Sequence, residues 1–114
     1  MNFNELLMKA INASIKGGHA IMDVYDSDFS IEHKDDKSPL TMADKNCNSV
    51  IEYHLLDTEI PLLSEEGAKI PYSQRKEWEY FWLVDPLDGT KEFVKKNGEF
   101  TVNIALIHNG NPIM

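Results

Sequence analysis

Asp85 and Asp88 stand three positions apart, separated by Pro86-Leu87 and followed at once by Gly89-Thr90. A second acidic knot, Ser64-Glu65-Glu66-Gly67, lies upstream. Carboxylates brought close together repel one another unless they are protonated or bridged by cations. A set of hard oxygen ligands without histidine or cysteine favours Mg²⁺ over zinc. Both knots follow apolar runs and are therefore expected at strand ends, where the sites of α/β folds collect. Pro86 restricts its own backbone, so the chain is expected to turn between the two aspartates. Two acidic strand ends, together with the Gly89 and Thr90 amides, can hold a metal ion and a phosphate at once. Each knot taken singly has a plainer reading, Asp88-Gly89 as a hairpin turn and Glu65-Glu66 as a solvated corner.

These residues need a scaffold, and the apolar spacing supplies one. Phe3, Leu6, Leu7, Ala10, Ile11, Ile15, Ile21 and Met22, with Ser14 and Gly18 continuing the stripe, recur at helical intervals. Asn2 or Asn4 is available as N-cap, and Asp26-Ser27-Asp28 ends the helix. Gly17-Gly18 costs such a helix about 1 kcal/mol per residue relative to alanine, which points to close packing there. Phe29 to His33 alternates as a short strand does, and Lys34 to Pro39 is a charged loop. Thr41 opens a second helix whose apolar face is Ala43, Cys47, Val50, Ile51, His54 and Leu55. Ile60 to Leu63 reads as a buried strand end, and Gly67 to Trp78 as a polar excursion with at most one helical turn. Tyr80 to Val84 and Thr101 to Ile107 are continuous apolar runs of strand length. Asn109-Gly110 is a hairpin signal followed only by Asn111, Pro112, Ile113 and Met114. A hairpin with one full arm leaves a strand edge open to another chain. The expected fold class is α/β: two helices on one side of a mainly antiparallel sheet, truncated. Its strands are expected near Phe29, Leu62, Phe81 and Val102.

The composition narrows the classes. The chain has 114 residues, 42% hydrophobic and 26% charged, values that fit one globular domain and argue against wholesale disorder. No apolar run approaches the ~18 residues that a membrane span needs, and the N-terminus lacks a basic-then-apolar signal pattern. Cys47 is the single cysteine, which excludes an intramolecular disulfide framework and a Cys-rich zinc site. With 19 acidic against 11 basic side chains the net charge is -8, so nucleic acid is not expected as a partner. A small phosphorylated substrate remains compatible with that charge if cations stand between. A soluble, cytoplasmic protein is expected, with the inner face of the plasma membrane as a further location considered.

Leu83-Val84-Asp85-Pro86-Leu87-Asp88-Gly89-Thr90-Lys91-Glu92-Phe93 resembles the signature of the inositol-monophosphatase superfamily of Mg²⁺-dependent, lithium-sensitive phosphatases. The stretch from Lys95-Lys96-Asn97-Gly98-Glu99-Phe100 to Ile107 is similar to its 3'(2'),5'-bisphosphate nucleotidase branch. Two weaker patterns agree in order and spacing: Lys34 through Ser38-Pro39-Leu40-Thr41 to Asp44, and Leu63-Ser64-Glu65-Glu66. The resemblance runs from the first helix to Met114. It implies the α+β half of a layered αβαβα sugar-phosphatase fold. It also implies Glu65, Asp85 and Asp88 as metal-binding carboxylates, the Leu87 carbonyl as a further ligand, and Asp85 as a bridge between two Mg²⁺ ions. A two-metal site sets its ions ~3.5–4 Å apart, one generating the attacking hydroxide and one stabilising the leaving oxygen. Thr90 is then expected to orient the nucleophilic water, with Asp44 taking or relaying its proton and Glu65 beside the reacting phosphate. The Gly89 and Thr90 amides, at a helix start, are expected to cradle that phosphate. Electrostatic clamping of this kind is most of what phosphoryl transfer requires. The substrate implied is a small phosphorylated nucleotide, 3'-phosphoadenosine 5'-phosphate, converted to AMP and phosphate in clearing a product of sulfate assimilation. Its sulfated analogue is a second substrate to consider.

Several residues keep a second reading. Thr41-Met42-Ala43-Asp44 is close to a capping box, in which Asp44 serves the helix N-terminus, and the two roles can coexist. Adjacent carboxylates on a strand end point in opposite directions, so one of Glu65 and Glu66 is expected to ligate, and the family pattern picks Glu65. Lys34, Lys91, Lys95 and Lys96 either face the pocket or are simply solvated. His19, His33, His54 and His108 lack metal-ligand spacing, Cys47 reads as core, and Trp78 and Trp82 as packing residues. Members of the superfamily are longer, with a second α/β half that supplies a further metal-binding aspartate in a Trp-Asp pattern and most contacts to base and sugar. Residues 1–114 are thus expected to be the N-terminal metal-binding portion, with the C-terminal half absent, little activity alone and self-association through the open sheet edge. The alternatives are an inositol-phosphate or other sugar-phosphate phosphatase and a non-catalytic truncated remnant that binds Mg²⁺ weakly.

Overall fold

The computed structural model describes residues 1–34 and 39–114. Helix α1 spans Phe3–Tyr25; the Asn2 side chain caps it by accepting from the Glu5 amide at 3.1 Å, and Asp26 closes it. Its buried positions are Leu6, Ala10, Ala13, Gly17, Ile21 and Val24. That face differs from the expected stripe: Phe3, Leu7, Ile11, Ile15 and Met22 are 42–51% exposed. Both flanks of α1 are apolar, and the one with alanines and a glycine admits the closer helix crossing, so that flank turns inward. At Gly17 a Cβ would stand 2.8 Å from the Cys47 sulfur and 3.2 Å from Ile51 Cγ1, which is why the crossing needs glycine.

Strands β1 (Glu32–His33) and β2 (Pro39–Leu40) form an antiparallel ribbon of their own. The strand expected from Phe29 therefore begins late and stays outside the main sheet. Phe29 instead packs its ring 4.9 Å from that of Phe93. Residues 35–38 of the expected charged loop lie outside the described residues. Helix α2 spans Met42–Leu55 behind a full capping box of Thr41 and Asp44, and buries Ala43, Cys47, Ile51 and Leu55 as the spacing predicts. A 3₁₀ turn, Leu56–Thr58, leads to β3 (Leu62–Ser64). One helical turn, α3 (Tyr72–Arg75), interrupts the polar excursion.

The main sheet has the order β3-β4-β5-β6, with β4 at Tyr80–Asp88, β5 at Thr101–His108 and β6 at Asn111–Pro112. It is mainly antiparallel, and only β3 and β4 run parallel, Leu62 opposite Trp82 and Ser64 opposite Val84. Asn109 and Gly110 both have positive φ, 49° and 83°, and turn the chain into β6 as their types predict. Trp82, Val84 and Leu106 point at α1 and α2 and form one core with Ile21, Ile51 and Phe93. The Trp82 indole donates to the Thr58 hydroxyl at 3.1 Å, satisfying its one buried polar group. Among the described residues no helix is long and apolar enough to cross a membrane.

Candidate metal centre

Where parallel β3 and β4 end, three segments meet: the Glu65-Glu66 turn, the Asp85–Asp88 end of β4, and the start of a short helix α4, Thr90–Val94. They line an open pocket of about 260 Å³ with Lys34, Glu65, Glu66, Asp85, Leu87, Asp88, Gly89, Thr90, Lys91 and Glu92 on its walls. Every residue that the sequence assigned to metal or phosphate borders this pocket, and Asp44 reaches it through Thr90.

The strand end is not the turn expected at Pro86. Asp85 opposes Asn103 and Asp88 opposes Thr101, so Pro86 and Leu87 stand against the single residue Val102. That is a β-bulge, and Pro86 is tolerated in β4 because an unpaired bulge position needs no amide proton. The bulge also explains why the two aspartates share a pocket. In an unbroken strand, residues three apart face opposite sides, and one extra residue brings them to the same side. The Cys47 thiol donates to the Pro86 carbonyl at 3.0 Å and so ties the bulge to α2. Burial pushes this thiol up to about 12, with the Asp44 and Asp85 charges adding to the effect.

Gly89 follows with φ 97°, and a Cβ there would stand 2.8 Å from the Glu99 carbonyl oxygen. Only glycine makes this corner without strain. The corner opens α4, and among the described residues no side chain caps its first amides. Thr90 donates its hydroxyl proton to Asp44 Oδ1 at 2.8 Å. The other Asp44 oxygen accepts from the Thr41 amide at 2.8 Å and the Thr41 hydroxyl at 2.7 Å. Capping and the Thr90 contact thus use different oxygens of one carboxylate that is 1% exposed.

The Glu65-Glu66 alternation expected of a strand end does not hold, because β3 stops at Ser64 and the chain turns. Both carboxylates border the pocket, and Glu66 is taken up by an ion pair with Lys34. Burial works against the Lys34 charge, but the Glu66 hydrogen bond and nearby carboxylates outweigh it and hold its ammonium above the usual lysine range. Burial, then the charges of Asp88 and Glu65, raise Asp85 above the usual aspartate range. This crowding is what a divalent cation relieves, and an all-oxygen donor set suits a hard one. Among the described residues no three acidic, histidine or cysteine side chains stand close enough together to hold a metal ion as they are placed, so the fit lies in the donor chemistry of the shared pocket rather than in a formed ligand set. The Leu87 carbonyl, which receives a long 3.4 Å contact from Thr90, belongs to a further residue on the same wall.

Three contacts lay outside the sequence reading. Asn103 reaches Asp88 at 3.4 Å, Asn48 receives the Ser64 hydroxyl, and Cys47 holds Pro86. A polar residue inside an apolar run or on an apolar helix face was the available signal for Asn103 and Asn48. Of the weaker candidates Lys91 lines the pocket, Lys95 is exposed, and Lys96 donates to the Tyr25 carbonyl with its ammonium over the Tyr25 ring.

A family model described as "Inositol monophosphatase family" matches residues 3–114. The chain is 48% identical over 113 residues to the 3'(2'),5'-bisphosphate nucleotidase CysQ of Salmonella typhimurium, covering 96% of this chain and 46% of that protein. It is 42% identical over 116 residues to the protein of the same name from Buchnera aphidicola, covering 98% and 43%. Its fold matches the crystal structure of CysQ from Bacteroides thetaiotaomicron, a bacterial member of the inositol monophosphatase family, with a TM-score of 0.84 and 46% identity over 97% of this chain and 41% of that one. The chain spans less than half the length of these relatives.

Proposed function

The chain belongs to the inositol monophosphatase family, and from that premise we propose that it carries the metal- and water-holding part of a Mg²⁺-dependent phosphatase for 3'-phosphoadenosine 5'-phosphate, releasing AMP and phosphate. The observation that carries this is that Glu65, Asp85, Asp88 and Thr90 line one pocket, with the Thr90 hydroxyl bound to the buried Asp44. Relatives named bisphosphate nucleotidases support the choice of substrate.

Glu65, Asp85, Asp88 and the Leu87 carbonyl would hold the metal, whose charge would relieve the crowding of Asp85 by the other two carboxylates. Bound there, Mg²⁺ supplies Lewis-acid stabilisation of phosphoryl oxygens and acidifies water. The remaining work falls to this chain's own groups. The one hydroxyl proton of Thr90 is committed to Asp44, so its lone pairs are left to accept a hydrogen bond from a water in the pocket. That sets the direction in which the water's own lone pair points. Asp44 is the group to which a proton passed through the Thr90 hydroxyl would go, and its second oxygen is anchored on Thr41. Gly89 and Thr90 line the pocket at the start of α4, where among the described residues no side chain caps the helix, and their amides would be the donors for phosphate oxygens. Lys34, neutralised by Glu66, closes one side without competing for the metal. The compartment implied is the cytoplasm. Among the described residues Thr101 to Ala105 of β5 pair with β4 alone, and this is the edge along which two copies would associate.

The test is phosphate release from 3'-phosphoadenosine 5'-phosphate by this chain, with and without Mg²⁺, beside its Glu65→Gln variant. Mg²⁺-dependent release that the variant loses is the expected result for a sufficient site. Release that needs no Mg²⁺, or that Glu65→Gln leaves intact, overturns the assignment. If the folded chain binds Mg²⁺ but releases nothing, turnover requires groups outside these 114 residues.

A further inference from the structure

One turn of α2 makes three polar contacts with the segments that border the pocket. Asp44 holds Thr90, Cys47 holds Pro86, and Asn48 holds Ser64. Asn48 is the member with no role so far. It is 6% exposed, its carbonyl oxygen accepts from the Ser64 hydroxyl, and its amide donates to Glu52 at 3.1 Å. A serine hydroxyl has one proton, so Ser64, having given it to Asn48, turns a lone pair to the Glu66 amide at 3.3 Å. The Ser64 carbonyl accepts from the Gly67 amide at 3.3 Å. Between these two contacts, the Glu65 amide donates to the Val84 carbonyl at 3.2 Å, one residue before Asp85. The turn that carries Glu65 is thus gripped from α2 on one side and from β4 on the other.

We propose that Asn48 and Ser64 form a clasp that sets the direction of the Glu65 carboxylate, which makes Asn48 a positioning residue for the metal centre. The inference rests on the function proposed above. Glu65 is exposed, so packing does little to orient its side chain, and the backbone turn is what the scaffold can fix. The clasp fixes it through hydrogen bonds that run in one order only, Glu66 amide to Ser64 hydroxyl to Asn48 carbonyl. Partners of this kind, one step removed from a metal, typically change its affinity about 10–100-fold when lost.

The experiment titrates this chain with Mn²⁺, following the free ion by electron paramagnetic resonance, for wild type, Glu65→Gln, Asn48→Ala, Ser64→Ala, Ser64→Thr and the Asn48→Ala/Ser64→Ala pair. Circular dichroism checks that each is folded. Asn48→Ala and Ser64→Ala should each weaken binding roughly tenfold, the lower end of that range. The double variant should be no weaker than either single one, because both break the same chain of bonds. Ser64→Thr should restore affinity by restoring the hydroxyl. If Asn48→Ala unfolds, the Ser64→Ala and Ser64→Thr comparison decides. Wild-type affinity in both alanine variants, with Glu65→Gln impaired, overturns the clasp and leaves the metal centre standing. Unchanged affinity in Glu65→Gln, or no binding by wild type, overturns both.

Discussion

Gly17 and Gly18 are neighbours on α1 with opposite surroundings, and alanine at each should shift stability in opposite directions. A Cβ at Gly18 meets nothing within 4 Å, whereas one at Gly17 would lie 2.8 Å from Cys47 Sγ and 3.2 Å from Ile51 Cγ1. Replacing a glycine by alanine inside a helix gains about 0.5–1 kcal/mol, because the unfolded chain has less freedom to lose. Gly18→Ala should show that whole gain. At Gly17 the same gain is opposed by overpacking, which costs about 1–3 kcal/mol. The sulfur cannot swing aside freely, since moving it gives up the 3.0 Å bond to the Pro86 carbonyl. That bond adds about 0.5–1.5 kcal/mol to the cost if it is lost. The balance is a net loss of about 1–2 kcal/mol for Gly17→Ala. In a domain near this size, 1 kcal/mol moves Tm by about 4–8 °C, so the two variants should melt on opposite sides of wild type. Urea and thermal unfolding followed by circular dichroism, metal-free and at one pH, measure both. Cys47→Ala removes the obstructing sulfur, so the Gly17→Ala/Cys47→Ala pair should be more stable than the two single losses added together. Gly17→Ala as stable as Gly18→Ala, or simple additivity in the pair, would refute the close crossing.

Asp85→Asn should raise the metal-free stability of the chain at neutral pH and weaken Mg²⁺ binding. The folded-state pKa of Asp85 lies above its unfolded value, so the folded state binds the proton more tightly there. Its contribution therefore falls as pH rises from the ordinary aspartate value through the raised one. Urea midpoints against pH should show that decline in wild type, less of it in Asp85→Asn, and a reversal on adding Mg²⁺ to wild type only. Gly89→Ala should be destabilised by about 1–2 kcal/mol from its left-handed backbone alone. It should lose more than Gly98→Ala, because a Cβ at Gly89 meets the Glu99 carbonyl at 2.8 Å and one at Gly98 meets nothing, as thermal melts would show. The Cys47 thiol, fully buried and pushed up to about 12, should react with Ellman's reagent only after denaturant is added. Reaction under native conditions would mean that α2 opens away from the bulge.

Local chemistry is what the sequence determined by itself. Asn2 and Asp26 bound α1, Thr41 and Asp44 open α2, and Asn109-Gly110 turns the chain, because capping and turn geometry act over a few neighbouring residues. The apolar runs at Tyr80 and Thr101 declared their strands for the same reason, and the acidic motifs were visible as motifs. Tertiary structure decided the rest. Both flanks of α1 are apolar, so only the Gly17 crossing with α2 selects which is buried. The strand at Glu32 pairs with Leu40 rather than joining the sheet, a choice among partners that alternation cannot make. Asp85 and Asp88 share a side because β5 offers one residue to two of β4 across Pro86-Leu87, a mismatch that exists only once the strands are paired. Asp44 with Thr90, Cys47 with Pro86 and Asn48 with Ser64 join residues far apart in the chain but adjacent across the helix–sheet interface. Spacing along a single element carries no information about such pairs, since their geometry is set by how layers stack rather than by any residue's own conformational preference.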